Sequence, residues 1–60
     1  MLDYKVSWLN NENQEWFSEW MNKEDAIKLF YEISTNKVDE EQTKCNLYYF
    51  NNIIKFSYNK

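Results

Sequence analysis

The apolar positions follow three patterns along the chain, and each names an element. Tyr4, Val6 and Trp8 alternate with Lys5 and Ser7 over residues 4–8, the period-two signature of a half-buried strand. A second strand is expected over residues 15–21, with Asn10, Asn11, Glu12 and Asn13 as the hairpin loop between the two. Two registers compete. Pairing Trp8 with Trp16 places Tyr4, Val6, Trp8, Trp16 and Trp20 on one face and sets Lys5 opposite Glu19. A slip of one residue brings Phe17 and Met21 onto that face and turns Trp16 and Trp20 away. The first is favoured by the charge pair and by burial of the three Trp.

The pattern then changes period. Ala26, Leu29, Phe30 and Ile33 recur at helical spacing, and Ile27 and Tyr31 widen the stripe. Asn22 suits the N-cap, with Asp25 in the capping-box place and Glu24 and Asp25 at the positive end of the dipole. Met21 and Ala26 flank the cap as a staple. Lys28 and Glu32 form an exposed pair four residues apart. Asn36 suits the left-handed position after the helix, followed by Lys37. Residues 38–42, with Asp39, Glu40 and Glu41, read as an acidic loop.

Two further strands are expected over residues 43–50 and 53–58, joined by a turn at Asn51-Asn52. That turn pairs Phe50 with Ile53, Tyr49 with Ile54, Leu47 with Phe56 and Cys45 with Tyr58. Cys45, Leu47, Tyr49, Ile54, Phe56 and Tyr58 then share a face, expected to be core. Asn46, Tyr48, Phe50, Ile53, Lys55 and Ser57 share the other. The chain as a whole reads as one domain, residues 1–60, of class α+β. It is a β-hairpin, a helix and a β-hairpin (ββαββ), with the helix on one face of a four-stranded antiparallel sheet, since an isolated hairpin is marginal in water.

Composition sharpens this. There is no Gly and no Pro, so the usual turn residues are missing. Asn replaces them at four points, because it tolerates the left-handed region and bonds its own backbone. A chain of 60 residues buries only about 60% of its unfolded surface, and such a core rarely supplies more than roughly 3–5 kcal/mol. The 20% aromatic content offsets part of that deficit and argues against disorder. The start lacks the basic and apolar regions of a signal peptide, and no apolar run nears the roughly 18 residues of a membrane span. One Cys and no export signal lead to a cytoplasmic expectation. The many Asn, Lys, Ile, Phe and Tyr residues have A/T-rich codons, which suits a low-GC bacterium or its phage.

The chemistry is sparse. With no His, the commonest general base and zinc ligand is missing. Cys45 falls on a core face, where a thiol is a small hydrophobe. The acidic positions do not match a calcium loop. No catalytic residue, cofactor or metal site is expected, and the reading is non-enzymatic. Tyr48, Phe50 and Ile53 could stack on bases, but seven Lys against ten carboxylates give no basic cluster for phosphate, so no direct nucleic-acid binding is expected.

One helix covers one sheet face, and the other should alternate to polar. It carries instead Tyr48, Phe50 and Ile53, with Phe17 in the favoured register. Scattered exposed aromatics are ordinary, yet this set has the composition of an interface. The leading expectation is a small acidic protein-binding module, such as a phage-borne inhibitor or adaptor of a host protein. Its contact residues would be Phe17, Tyr48, Phe50 and Ile53, with Asp39, Glu40 and Glu41 as an acidic rim able to mimic nucleic acid. A homodimer is expected, and a structural homo-oligomer without separate activity is the first alternative. The second is a small-ligand site lined by Trp8, Trp16 and Trp20.

Overall fold

Residues 2–36 and 41–58 are described in the computed structural model. The elements run β1 (Tyr4–Asn10), β2 (Glu15–Phe17), α1 (Lys23–Asn36), β3 (Gln42–Tyr49) and β4 (Asn52–Tyr58). The four strands form one antiparallel sheet in the order β2-β1-β3-β4, and α1 packs on one face against β1 and β3. This is the α+β, ββαββ architecture. The two hairpins join through β1 and β3, a strand order the pattern alone left open.

That order follows from burial. Val6 stands opposite Leu47 and Trp8 opposite Cys45. On the helix side Val6, Cys45 and Leu47 meet Ala26, Phe30 and Ile33 of α1 as the buried core, with Tyr4, Trp8, Met21, Ile27 and Leu29 packed around it. Burying a side chain the size of Val, Leu or Phe contributes about 1.5–3 kcal/mol. Only the two strands under the helix can supply such burial, so they become central.

The helix begins as expected. The Asp25 amide donates to Asn22 Oδ1 at 2.9 Å, and the Ala26 amide to the Asn22 carbonyl at 3.0 Å. At the other end Asn36 is the last helical residue rather than the one beyond it. Gln42 is not a loop residue. It opens β3 and is buried, and its Nε2 donates to the Ile33 carbonyl at 3.0 Å. Ile33 lies in the last described turn of α1, so this bond ties the start of β3 to the helix end.

Turns without Gly are built from Asn and, once, from Phe. Asn10 Oδ1 accepts from the amides of Glu12 at 2.9 Å and Gln14 at 3.0 Å, and Asn13 adopts φ 62°. The second hairpin departs from expectation. Tyr49 pairs with Asn52, so the two-residue loop is Phe50-Asn51, not Asn51-Asn52. Phe50 takes φ 54°, at the loop position where Gly is favoured. Its amide donates to the Asp3 carbonyl at 2.9 Å, extending the β1–β3 ladder, and its ring meets Tyr49 edge-on at 4.6 Å.

Two irregularities decide which side chains face which way. In the first hairpin Trp8 pairs with Trp16 and Ser7 with Phe17, the favoured register. Farther along, Tyr4 pairs with Met21. From Ser7 to Tyr4 is three residues and from Phe17 to Met21 four, so β2's side carries one extra residue and ends early. In the second hairpin Tyr48 pairs with Ile53 but Leu47 with Lys55, so Ile54 is the extra residue. Moving the loop by one position shifts every partner by two and preserves the faces. The extra Ile54 shifts partners by one and exchanges them.

Candidate functional site: the open face of the sheet

The strand faces place a set of aromatic side chains on the side of the sheet away from α1. Three rows of paired residues cross it. The middle row is Phe17, Ser7, Asn46 and Phe56. One flanking row is Glu15, Leu9, Lys44 and Tyr58. The other holds Lys5, Tyr48 and Ile53, with the Trp20 ring beside Lys5.

The face is apolar at its edges and polar at its centre. Phe17 is 49% exposed, Trp20 43%, Phe56 56% and Tyr58 68%. Ser7 and Asn46 are buried between them. Glu15 Oε2 accepts from Ser7 Oγ at 2.6 Å and from the Tyr48 hydroxyl at 3.1 Å, and Asn46 Nδ2 lies 3.5 Å away. Asn46 Nδ2 also donates to Ser7 Oγ at 3.3 Å. Partial burial, then the hydrogen bond to Glu15 and its charge, hold the Tyr48 hydroxyl above its ordinary value.

Two ammonium groups complete the face. Lys5 Nζ sits 4.4 Å from the centre of the Phe17 ring, 4.6 Å from Trp20 and 5.1 Å from Tyr48. Lys44 Nζ sits 5.2 Å from Phe56 and 5.4 Å from Tyr58. A cation over a ring face is attracted by the ring quadrupole, by about 0.5–1 kcal/mol at exposed sites. The two clusters lie at opposite corners, two residues to either side of the Ser7–Asn46 pair. Lys5 was expected opposite Glu19, but the extra residue near Ser18 brings Trp20 to it instead.

Of the residues singled out from sequence, Phe17, Tyr48 and Ile53 stand together on this face. Phe50 does not, because it occupies the loop. Lys55 and Ser57, expected there, pair with Leu47 and Cys45 and so belong to the helix side, and Lys55 Nζ reaches the Tyr31 hydroxyl. Glu41 is exposed, and Asp39 and Glu40 lie outside the described residues. Phe56 and Tyr58, expected in the core, are on the open face opposite Asn46 and Lys44. Ile54, also expected in the core, is the extra residue and is exposed. Tyr49 stays on the helix side, its ring 4.9 Å from Tyr4, but is partly exposed.

The expected burial of three Trp is likewise corrected. Trp8 packs on the core, while Trp16 and Trp20 are exposed. Trp8 and Trp16 lie on the helix side and Trp20 on the other, so the three line no common cleft. Trp20, Phe56 and Tyr58 escaped the sequence reading because each lies beyond an extra residue. No Gly marks either position.

Cys45 is buried beneath α1, its Sγ 4.0 Å from the Phe30 carbonyl, and desolvation pushes its thiol up from 9.0 to about 11. A thiol so held is a poor nucleophile at neutral pH. Among the described residues no group of three or more His, Cys, Asp or Glu is placed to hold a metal ion. Also among them, no helix is long and apolar enough to cross a membrane. The open face thus carries flat rings, two ammonium groups held over them and a polar centre in which Ser7, Glu15, Tyr48 and Asn46 Nδ2 bond one another while Asn46 Oδ1 is buried without a partner among the described residues. No family model matches the chain, and neither a curated protein sequence nor a solved structure is similar to it.

Proposed function

We propose that this chain is a small, non-enzymatic, cytoplasmic protein-binding module whose contact surface is the open sheet face. The observation that carries the reading is the concentration of Phe17, Trp20, Tyr48, Ile53, Phe56 and Tyr58 on the sheet face that no element among the described residues covers. Contiguous apolar patches rimmed by polar groups mark protein contact sites, and aromatic residues are the types interfaces concentrate. The centre of the face suits this role. Ser7, Asn46, Glu15 and Tyr48 already bond one another, so covering them exchanges few hydrogen bonds with water.

A protein surface suits the face better than nucleic acid. Two lysines offset by Glu15 are few cations for a polyanion, and the chain carries a net charge of −3. The test is affinity capture from the source cell's lysate with the wild type and with Phe17→Ser and Phe56→Ser. Capture lost in both variants but kept in Tyr31→Ser, on the opposite side of the molecule, supports the reading. Capture unchanged in all of them overturns it.

A further inference from the structure

We infer that the partner of the open face is an acidic segment of another protein, whose carboxylates meet the ammonium groups of Lys5 and Lys44. The inference rests on the reading of that face as a protein contact surface, and it adds the chemistry of what covers it. Charge is divided unevenly over the molecule. The chain carries a net charge of −3, yet the three rows of the open face hold two lysines against one glutamate. That glutamate is turned inward, Glu15 Oε2 accepting from Ser7 and Tyr48. Among the described residues neither Lys5 nor Lys44 has a carboxylate partner. Each ammonium lies over rings instead, Lys5 over Phe17, Trp20 and Tyr48, and Lys44 over Phe56 and Tyr58.

The rings prepare these ammonium groups for an anion. An exposed ion pair ordinarily gives back much of its Coulomb energy in ordering two long side chains. Here one of the two is ordered before the partner arrives, and both lysines are only half-buried, so a carboxylate reaches them. Spacing narrows the partner further. Lys44 pairs with Leu9, which lies four residues along β1 from Lys5. At about 3.4 Å per residue and 4.8 Å between strands, the two lysines are rooted roughly 14 Å apart. They lean outward, toward rings on the β2 and β4 sides. Carboxylates about four to six residues apart on an extended segment span that gap and, an even number apart, point the same way. Between the lysines the middle row reads large, small, small, large: Phe17, Ser7, Asn46, Phe56. A segment running along β1 and β3 rests over the two small buried residues with an exposed ring on either side. A second copy of this chain would bring the same two lysines, with its Glu15 turned inward.

Backbone-amide NMR of the intact chain tests this, by titration with a synthetic peptide carrying two glutamates about four residues apart and apolar residues between them. Shift changes are expected at Lys5, Phe17, Lys44 and Phe56 but not at Lys28 on the helix, and they should weaken as salt is added. Binding should fall roughly tenfold, about 1.4 kcal/mol spread over two surface pairs, in the double variant Lys5→Gln, Lys44→Gln and for a peptide with glutamine in place of glutamate. The double variant Lys5→Arg, Lys44→Arg should retain it. An absence of shift changes, or equal affinity for the glutamine peptide, overturns the inference. So does tighter binding of an oligodeoxythymidylate, or a wild type that sediments at twice 7.5 kDa and is split by Phe56→Asp. If the glutamine peptide binds the face as well as the glutamate peptide does, the contact-face reading stands and its charge preference falls. If neither peptide touches the face and capture from lysate ignores Phe17 and Phe56, both fall.

Discussion

Ser18 holds Val6 by both ends of its peptide. The Ser18 amide donates to the Val6 carbonyl at 2.8 Å, and Ser18 Oγ accepts the Val6 amide at 2.9 Å. In a regular ladder that second acceptor would be a backbone carbonyl. The hydroxyl replaces it where the strand gains a residue, and so lets the chain turn Trp20 toward Lys5 while Met21 returns to the helix side. Ser18→Ala leaves the amide of a buried residue without its acceptor. The expected loss is about 1–2 kcal/mol of stability, read from urea unfolding, with Ser18→Thr retaining most of it. An unchanged midpoint in Ser18→Ala would show that the hydroxyl is not what supports the irregularity.

Phe50 sits at φ 54°, where a side chain with a Cβ costs roughly 1–2 kcal/mol relative to Gly. Phe50→Gly should therefore raise stability by up to about 1 kcal/mol, part of the gain being offset by the lost edge-on contact with Tyr49. In a domain of this size that is a rise in melting temperature of about 4–8 °C. A fall would mean the ring contact outweighs the backbone strain.

Gln42 joins the start of β3 to the last turn of α1 through the Ile33 carbonyl. Gln42→Leu keeps the volume and removes the donor, and with it the buried hydrogen bond that ties β3 to the end of α1. A loss of about 1–3 kcal/mol is expected, with faster amide exchange in the final turn of the helix. Exchange that accelerates evenly along the whole chain would place the effect elsewhere.

Cys45 gives a pH signature. Its folded thiol lies near 11, above the ordinary 9.0, so the fold favours the protonated form. That contribution is fully present below pH 9 and is lost as pH rises toward 11, by about 2–3 kcal/mol at most. Tyr and Lys groups also titrate there, so the comparison is with Cys45→Ala. The wild type should lose more stability than the variant between pH 9 and 11. Parallel curves would contradict the burial of the thiol.

Much of the fold was legible in the residues. Alternation at Tyr4, Val6 and Trp8, the helical stripe from Ala26 to Ile33 and the Asn22 cap define elements that pack as they read. Trp8 pairs with Trp16 because the Asn10–Asn13 loop fixes the register next to it. The candidate site was only half legible, and the reason is local. Phe17, Tyr48 and Ile53 lie between a loop and the first irregularity, where period-two counting holds. Trp20, Phe56 and Tyr58 lie beyond an extra residue, where the count inverts. Extra residues are often marked by Gly. Here Ser18 and an exposed Ile54 take those places, and neither residue type announces an irregular strand.

The central claim is that the open face is the working surface, and hydroxyl-radical footprinting tests it most directly. The tagged chain, recovered from its own cells with whatever it carries, is compared with the isolated chain at high dilution. Phe17, Trp20, Phe56 and Tyr58 should be protected in the recovered sample, while Tyr31 on the helix reacts equally in both. Equal reactivity of the four face residues, with protection confined to the helix or to the Phe50 loop, would contradict the account.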